Sequence, residues 1–297
     1  MNPFLKKMGY TEDDRVLITH VDDMGFCHAA NVASLACLQG SASCASIIVN
    51  APWFREAVAM CEKYGPLDIG VHLTLTSEYG HYRWPPMSTR DASSGLMDAE
   101  GYLWHSVRDA VKHIPASIAE AEMRAQIDTA LASGLPITHI DAHMGTVVHP
   151  RYIRSYLSLA REYAIPAFLP YLAKERLEQM RQVDDTDTML AALEEVDRAE
   201  VPTLDEIVID TLVPMTEKSQ FYRDLIGAIK PGLTHLLFHP AVDGDELGAI
   251  TGTHASRNAD YLVWQGPVLR NYIADAGIHL IGYRELQNAM ETRSQSR

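Results

Sequence analysis

At 297 residues, 47% hydrophobic and 22% charged, the chain has the composition of a globular protein, long enough for one large α/β barrel or two ordinary domains. A formal net charge of -14 with no local Lys/Arg cluster argues against a nucleic-acid partner, because neutralising phosphates requires a basic surface. No apolar run reaches membrane-spanning length, and residues 1–10 lack the apolar core of a signal peptide, so the expectation is a cytoplasmic protein with no membrane partner.

Short β-rich runs at 16–23, 45–50, 67–75, 137–143, 167–172, 206–210, 234–240 and 278–283 alternate with helical patterns. The helices are expected at 28–39, 53–64, 117–133, 152–163, 174–195, 216–230 and 260–275. Ser117 and Glu120 have the spacing of a capping box, and Gly266-Pro267 should kink or split the last helix. Strands alternating with helices imply βαβ units and a parallel sheet. Seven or eight such strands in so short a chain suit a single (β/α) barrel, TIM-barrel-like with some distortion, over residues 1–290. Residues 291–297 read as a disordered tail. Cys27, Cys37, Cys44 and Cys61 show no Cys-x-x-Cys spacing, so reduced buried thiols are expected rather than a zinc knuckle or redox pair.

The stretch 16–25, VLITHVDDMG, is a buried strand ending in two carboxylates, with Gly25 free to turn sharply behind them. Side chains alternate along a strand, so Asp22 and Asp23 should take different jobs unless the strand has already ended. One could bind a metal ion while the other acts on its water; a plain helix cap at the strand end is the alternative. Ile137 to His143 places His139, Asp141 and His143 on one strand face, where three inward polar residues need a reason. Ligation by His143, supported by the other two, supplies one. His72 ends another short apolar run. One carboxylate and two imidazoles from separate strands form an open coordination set that suits one divalent ion, Zn²⁺ or another first-row divalent ion, with Mg²⁺ a weaker fit. His239, the last strand-end histidine, is placed for acid catalysis or carbonyl polarisation, or else caps the structure before Pro240. All these residues fall at C-terminal strand ends, the catalytic face of a barrel.

The one long insertion, about 77–113, carries Tyr79, Tyr82, Trp84, Tyr102 and Trp104. Such rings stack on sugar faces, or simply pack the loop onto the barrel. Tyr82, Arg83 and Trp84 are candidate substrate contacts on that basis, and His139 and Asp141 join them as polar groups near the mouth.

Four segments, Val21-Asp22-Asp23-Met24-Gly25, Gly70-Val71-His72-Leu73, Thr138-His139-Ile140-Asp141-Ala142-His143 and Leu237-Phe238-His239-Pro240, occur in an order that resembles the YdjC-like carbohydrate deacetylase family, related to polysaccharide deacetylases. The resemblance implies a divalent metal and removal of N-acetyl groups from an amino sugar or short oligosaccharide, such as an acetylated chitooligosaccharide. It makes Asp22 the general base, Asp23, His72 and His143 the metal ligands, and His239 the acid or polarising group. Many relatives carry a further His just after the third segment; here Met144-Gly145-Thr146 follows, and the next is His149. A small carbohydrate is the expected partner, and a homodimer is compatible with the sequence. The rival readings are a metal-dependent hydrolase of a non-sugar amide and a sugar-binding barrel without turnover.

Overall fold

Val16, Leu17, Ile18 and Val21 belong to the longest strand, and the other strands are arranged about it. In a computed structural model describing residues 1–171, 174, 185–210, 212 and 217–291, β1 spans Arg15–Met24 and is buried beyond its first residue. It is followed by β2 (Cys44–Ile47), β3 (Ile69–Leu73), β4 (Ile137–Ala142), β5 (Glu206–Ile209), β6 (Gly232–Phe238) and β7 (His279–Ile281). All pairings are parallel, in the order β4-β3-β2-β1-β6-β5. One edge of β1 pairs with β6 along Arg15 to Val21. The other edge is shared, with β7 beside Val16 to Ile18 and β2 beside His20 to Met24.

Between β4 and β5, the described residues 167–171 of the strand expected at 167–172 form isolated parallel bridges, Ile140 with Ala167 and Pro170 with Leu204, in place of a regular strand. Pro166 and Pro170 bring no N–H to a ladder, so regular pairing stops there. Residues 166–171 still bond to Ile140 on one side and Leu204 on the other, which joins the two ends of the sheet into a distorted (β/α) barrel.

The helices are α1 (Pro3–Lys7), α2 (His28–Gln39), α3 (Phe54–Tyr64), α4 (Val107–His113), α5 (Ala116–Ala132), α6 (Ile153–Glu162), α7 (Thr186–Glu194), α8 (Lys218–Gly227), α9 (Asp245–Ile250), α10 (His254–Trp264), α11 (Val268–Asp275) and α12 (Tyr283–Glu291). Three expectations change. Helix α5 begins behind Pro115, whose fixed φ of -63 starts it without a side-chain cap, so the Ser117–Glu120 box does not form. Glu120 accepts instead from the Ser155 hydroxyl at 2.8 Å. The helix expected at 260–275 is split at Gly266-Pro267 as anticipated, but its first half starts earlier, at His254. Residues 175–184 of the helix expected at 174–195, and residues 292–297 of the expected tail, lie outside the described residues; the end of that expected helix forms α7, and Glu291 closes α12.

The insertion is tied to the barrel rim by its own side chains. Trp84 is fully buried and donates Nε1–H to the Thr76 carbonyl at 2.9 Å. Arg83 lies inside the insertion, donating to the Ser77 and Leu103 carbonyls and pairing with Asp98 at 2.7 Å. Glu122 of α5 accepts the Met87 and Ser88 amides at 3.0 and 2.7 Å, fixing the insertion from outside.

Candidate metal centre and active site

Alternation along β1 would point Asp22 and Asp23 to opposite faces, yet both line one cavity. The backbone at Asp23 takes φ 66, a left-handed conformation rare for a residue with a side chain, and the β1–β2 register shifts between Val21 and Met24. The strand, which runs on to Met24, is therefore irregular at the two carboxylates, and this breaks the alternation of side chains. Gly25 follows at φ 88, where a Cβ would lie 2.8 Å from the Ile48 carbonyl oxygen, so the turn is open only to glycine.

Around Asp23 the barrel gathers two imidazoles. His72 Nε2 stands 3.5 Å and His143 Nδ1 3.3 Å from Asp23 Oδ1. That oxygen is buried and accepts no hydrogen bond. Each ring is oriented from behind by a carboxylate. His72 Nδ1 meets Asp141 Oδ1 at 2.8 Å and Ser46 Oγ at 3.0 Å, and His143 Nε2 meets Glu78 Oε2 at 3.0 Å. One ligand atom from each of Asp23, His72 and His143 lies within 4.8 Å of the others. The other Asp23 oxygen accepts Arg257 Nη1 at 2.8 Å.

Carboxylates dominate the electrostatics of the two imidazoles. Burial disfavours the imidazolium at His72, but Asp141 and Asp22 outweigh it and hold the ring well above its ordinary pKa. At His143 burial is likewise overcome, by Glu78 and Asp23, to about 9. Burial would raise Asp23, yet Arg257, His143 and His72 hold it well below the usual carboxylate range. His239 goes the other way: burial lowers it despite the nearby Asp23 and Asp22, and it rests neutral. Its Nε2 lies 3.7 Å from Asp22 Oδ2, and its Nδ1 is buried without a partner.

The cavity above these groups has a volume of about 440 Å³. Its lining includes the polar Glu78, Tyr79, Thr253 and Arg257 and an apolar set, Val148, Phe168, Leu169, Met189 and Leu237. The structure thus brings together Asp22, Asp23, His72, His143 and His239. Tyr82, Arg83 and Trp84, expected to touch substrate, do not line it. The Tyr82 hydroxyl donates to the Phe26 carbonyl at 2.7 Å, and the other two are spent inside the insertion. Nor do His139 and Asp141 reach the cavity; they lie beneath it, Asp141 holding His72 and His139 holding His20. His149 lines the cavity. Sequence reasoning missed Arg257, Glu78 and His20. Arg257 sits in α10, 234 residues from the Asp23 it holds, with no local signal. His20 did carry one: it shares the strand face of Asp22, two residues on.

A family model described as YdjC-like protein matches residues 16–275. The chain belongs to the YdjC-like family. Among its relatives, a protein of Thermus thermophilus named carbohydrate deacetylase is 31% identical over 279 residues, covering 93% of this chain and 95% of its own length. Another carbohydrate deacetylase, from Thermoanaerobacter pseudethanolicus, is 26% identical over 274 residues, 92% of this chain and 100% of the relative. In fold, the chain is similar to a solved structure from Enterococcus faecalis V583, described as a candidate cellobiose-phosphate cleavage protein, with TM-score 0.73, 24% identity, and coverage of 92% of this chain and 99% of that one. That likeness bears on the architecture, and the family's barrel is the one described above.

Proposed function

We propose that this YdjC-like chain is a metal-dependent carbohydrate deacetylase that removes N-acetyl groups from an amino sugar or short chitooligosaccharide. The observation that carries the metal is Asp23 Oδ1, a buried carboxylate oxygen without a hydrogen bond, facing two imidazole nitrogens whose far sides are held by Asp141 and Glu78. A buried carboxylate oxygen left without a hydrogen bond is costly, and one divalent ion held by Asp23, His72 and His143 would satisfy it. The mixed carboxylate–imidazole set suits Zn²⁺, with Mg²⁺ the weaker candidate. The deacetylase reading itself rests on the names of the relatives together with this site.

Bound there, such an ion would polarise the acetamide carbonyl and acidify the attacking water. The chain's own residues then manage the protons. Asp22 Oδ2 faces the cavity and takes one proton from water as it attacks the acetamide carbon. His239 rests neutral, so the proton it hands to the departing amine through Nε2 is the one Asp22 has just received. The C–N bond breaks, acetic acid and the free amine leave, and both residues return to their starting states.

A second reading has one observation in its favour. The apolar lining residues Phe168, Leu169, Met189 and Leu237 would also receive the apolar part of a non-sugar amide. The experiment is acetate release from N,N′-diacetylchitobiose by chelator-stripped protein, reloaded separately with Zn²⁺, Mg²⁺, Co²⁺ and Ni²⁺. Release restored by a metal supports the sugar reading. Turnover of an apolar N-acetyl amide but not of the disaccharide would replace it with the second, and tight binding of the disaccharide without release would mark a non-catalytic barrel.

A further inference from the structure

Below the cavity, inside the barrel, polar side chains occupy space that aliphatic ones usually fill. His20 on β1, His139 on β4, His235 on β6 and Tyr283 are all buried at 1% exposure or less. None of the four lines the cavity. His20 Nδ1 lies 2.7 Å from Asp22 Oδ1, and His20 Nε2 lies 2.8 Å from His139 Nε2. His139 in turn meets Thr138 Oγ1 through Nδ1 at 2.9 Å, and Thr138 bonds to Asp68 near the opposite end of the barrel.

His139 is itself wedged in place. Tyr283 stacks on one face at 4.0 Å between ring centroids and 14° between planes. A Cβ at Gly70 would come within 2.4 Å of the His139 ring, so only glycine leaves it room. The packing thus holds His139 where its Nε2 can engage His20. With both nitrogens of His20 engaged, the ring cannot turn over. A flip would set carbon atoms against Asp22 and His139 and leave buried polar atoms bare, at a cost of about 1–3 kcal/mol each.

We propose that His20 is a positioning residue for Asp22: its Nδ1–H fixes Oδ1, so that Oδ2 alone faces the reaction centre, and His139 holds His20 in that orientation. An ionised Asp22 only accepts hydrogen bonds, so the shared proton sits on His20 Nδ1. Among the described residues Asp22 Oδ2, by contrast, has longer contacts, 3.7 Å to His239 Nε2 and 3.9 Å to His72 Nε2, and Asp22 lines the cavity. A carboxylate free to rotate would present either oxygen, at varying distance, to the water it must deprotonate. Misplacement by about 1 Å costs on the order of 100-fold in rate. If the pair merely filled space, apolar residues of equal shape would serve nearly as well.

The inference rests on the deacetylase reading for Asp22, and its test separates the two. His20→Leu removes the donor, whereas His20→Asn retains one close to the position of Nδ1. The expected result for His20→Leu is a fall in kcat of about 100-fold, with KM and bound metal per chain unchanged, and His20→Asn should recover about 10-fold of it. Equal losses in the two variants, or a loss that follows metal content, would overturn the proposal. Should neither variant fold, His139→Gln, which retains a hydrogen-bonding amide near Nε2, against His139→Met decides: only the second should lose kcat, and equal activities would count against the idea. Nitrogen-15 spectra of the wild-type chain give a readout that needs no turnover. A protonated Nδ1 on His20 is expected, and a bare Nδ1 would overturn the proposal even in an active enzyme. If wild-type protein releases no acetate with any metal, the deacetylase reading fails, while the state of His20 Nδ1 still decides the positioning.

Discussion

Asp23 adopts its left-handed backbone at a cost of roughly 1–2 kcal/mol, which the surroundings offset by holding both of its ends. Arg257 fixes one carboxylate oxygen, and the Phe26 amide bonds to its backbone carbonyl at 3.1 Å. The result is two adjacent carboxylates lining one cavity, to which the proposed mechanism gives different roles. Asp22→Asn keeps the size and removes the base, so turnover should fall by about 100- to 10,000-fold while metal per chain, measured by atomic emission, is unchanged. Loss of metal instead would reverse the two roles. Glu78 acts at one remove, through His143. Glu78→Gln should weaken metal affinity by about 10- to 100-fold in a competitive chelator titration, since the ring loses its carboxylate partner but keeps its place.

Among the elements, the insertion shows how a motif read as binding becomes structural. Its Arg83 is nearly enclosed, with two backbone carbonyls and the Asp98 carboxylate as acceptors. Removing the guanidinium leaves those acceptors without a donor. Arg83→Met should therefore lower stability by about 1–3 kcal/mol in urea unfolding, with KM for the acetylated sugar little changed. A large rise in KM at unchanged stability would restore Arg83 to the substrate. The short stretch between β4 and β5 makes the complementary point. Apolar residues at 167–172 suggest a strand, but two prolines reduce it to isolated bridges, and Phe168, Leu169 and Pro170 line the cavity.

Across the whole molecule, the parallel sheet is covered so fully that every cysteine is buried. Burial pushes the Cys27 thiol up to about 11 and the Cys61 thiol up to about 12, and Cys37 and Cys44 also rise. Only the thiolate reacts rapidly, so below those values the native protein holds almost none. In Ellman's assay at pH 8 the folded chain should be nearly silent and show all four thiols on denaturation. Rapid reaction of Cys27 in the native state would mean that the barrel mouth opens further than the structure shows. The same enclosure explains the site: with water excluded, carboxylates behind His72 and His143 shift the rings far more than they would at a surface.

Local chemistry settled much of this in advance. Short β-rich runs and turn residues marked all seven strands, and strand-end Asp and His residues marked the five groups that meet, because both signals lie within a few neighbouring positions. Tertiary structure alone decided how those groups face one another. The turn that sends Asp22 and Asp23 to the same side depends on Ile48 crowding Gly25 and on Arg257 reaching Asp23 from α10, partners distant in sequence. It also decided that Arg83 and Trp84 serve the insertion, that Glu78 stands behind His143, and that His20 and His139 meet beneath the site. Some of these contacts join segments far apart along the chain and others only fold the insertion on itself, but none is a relation between strand or helix neighbours, and periodicity describes only what near neighbours share.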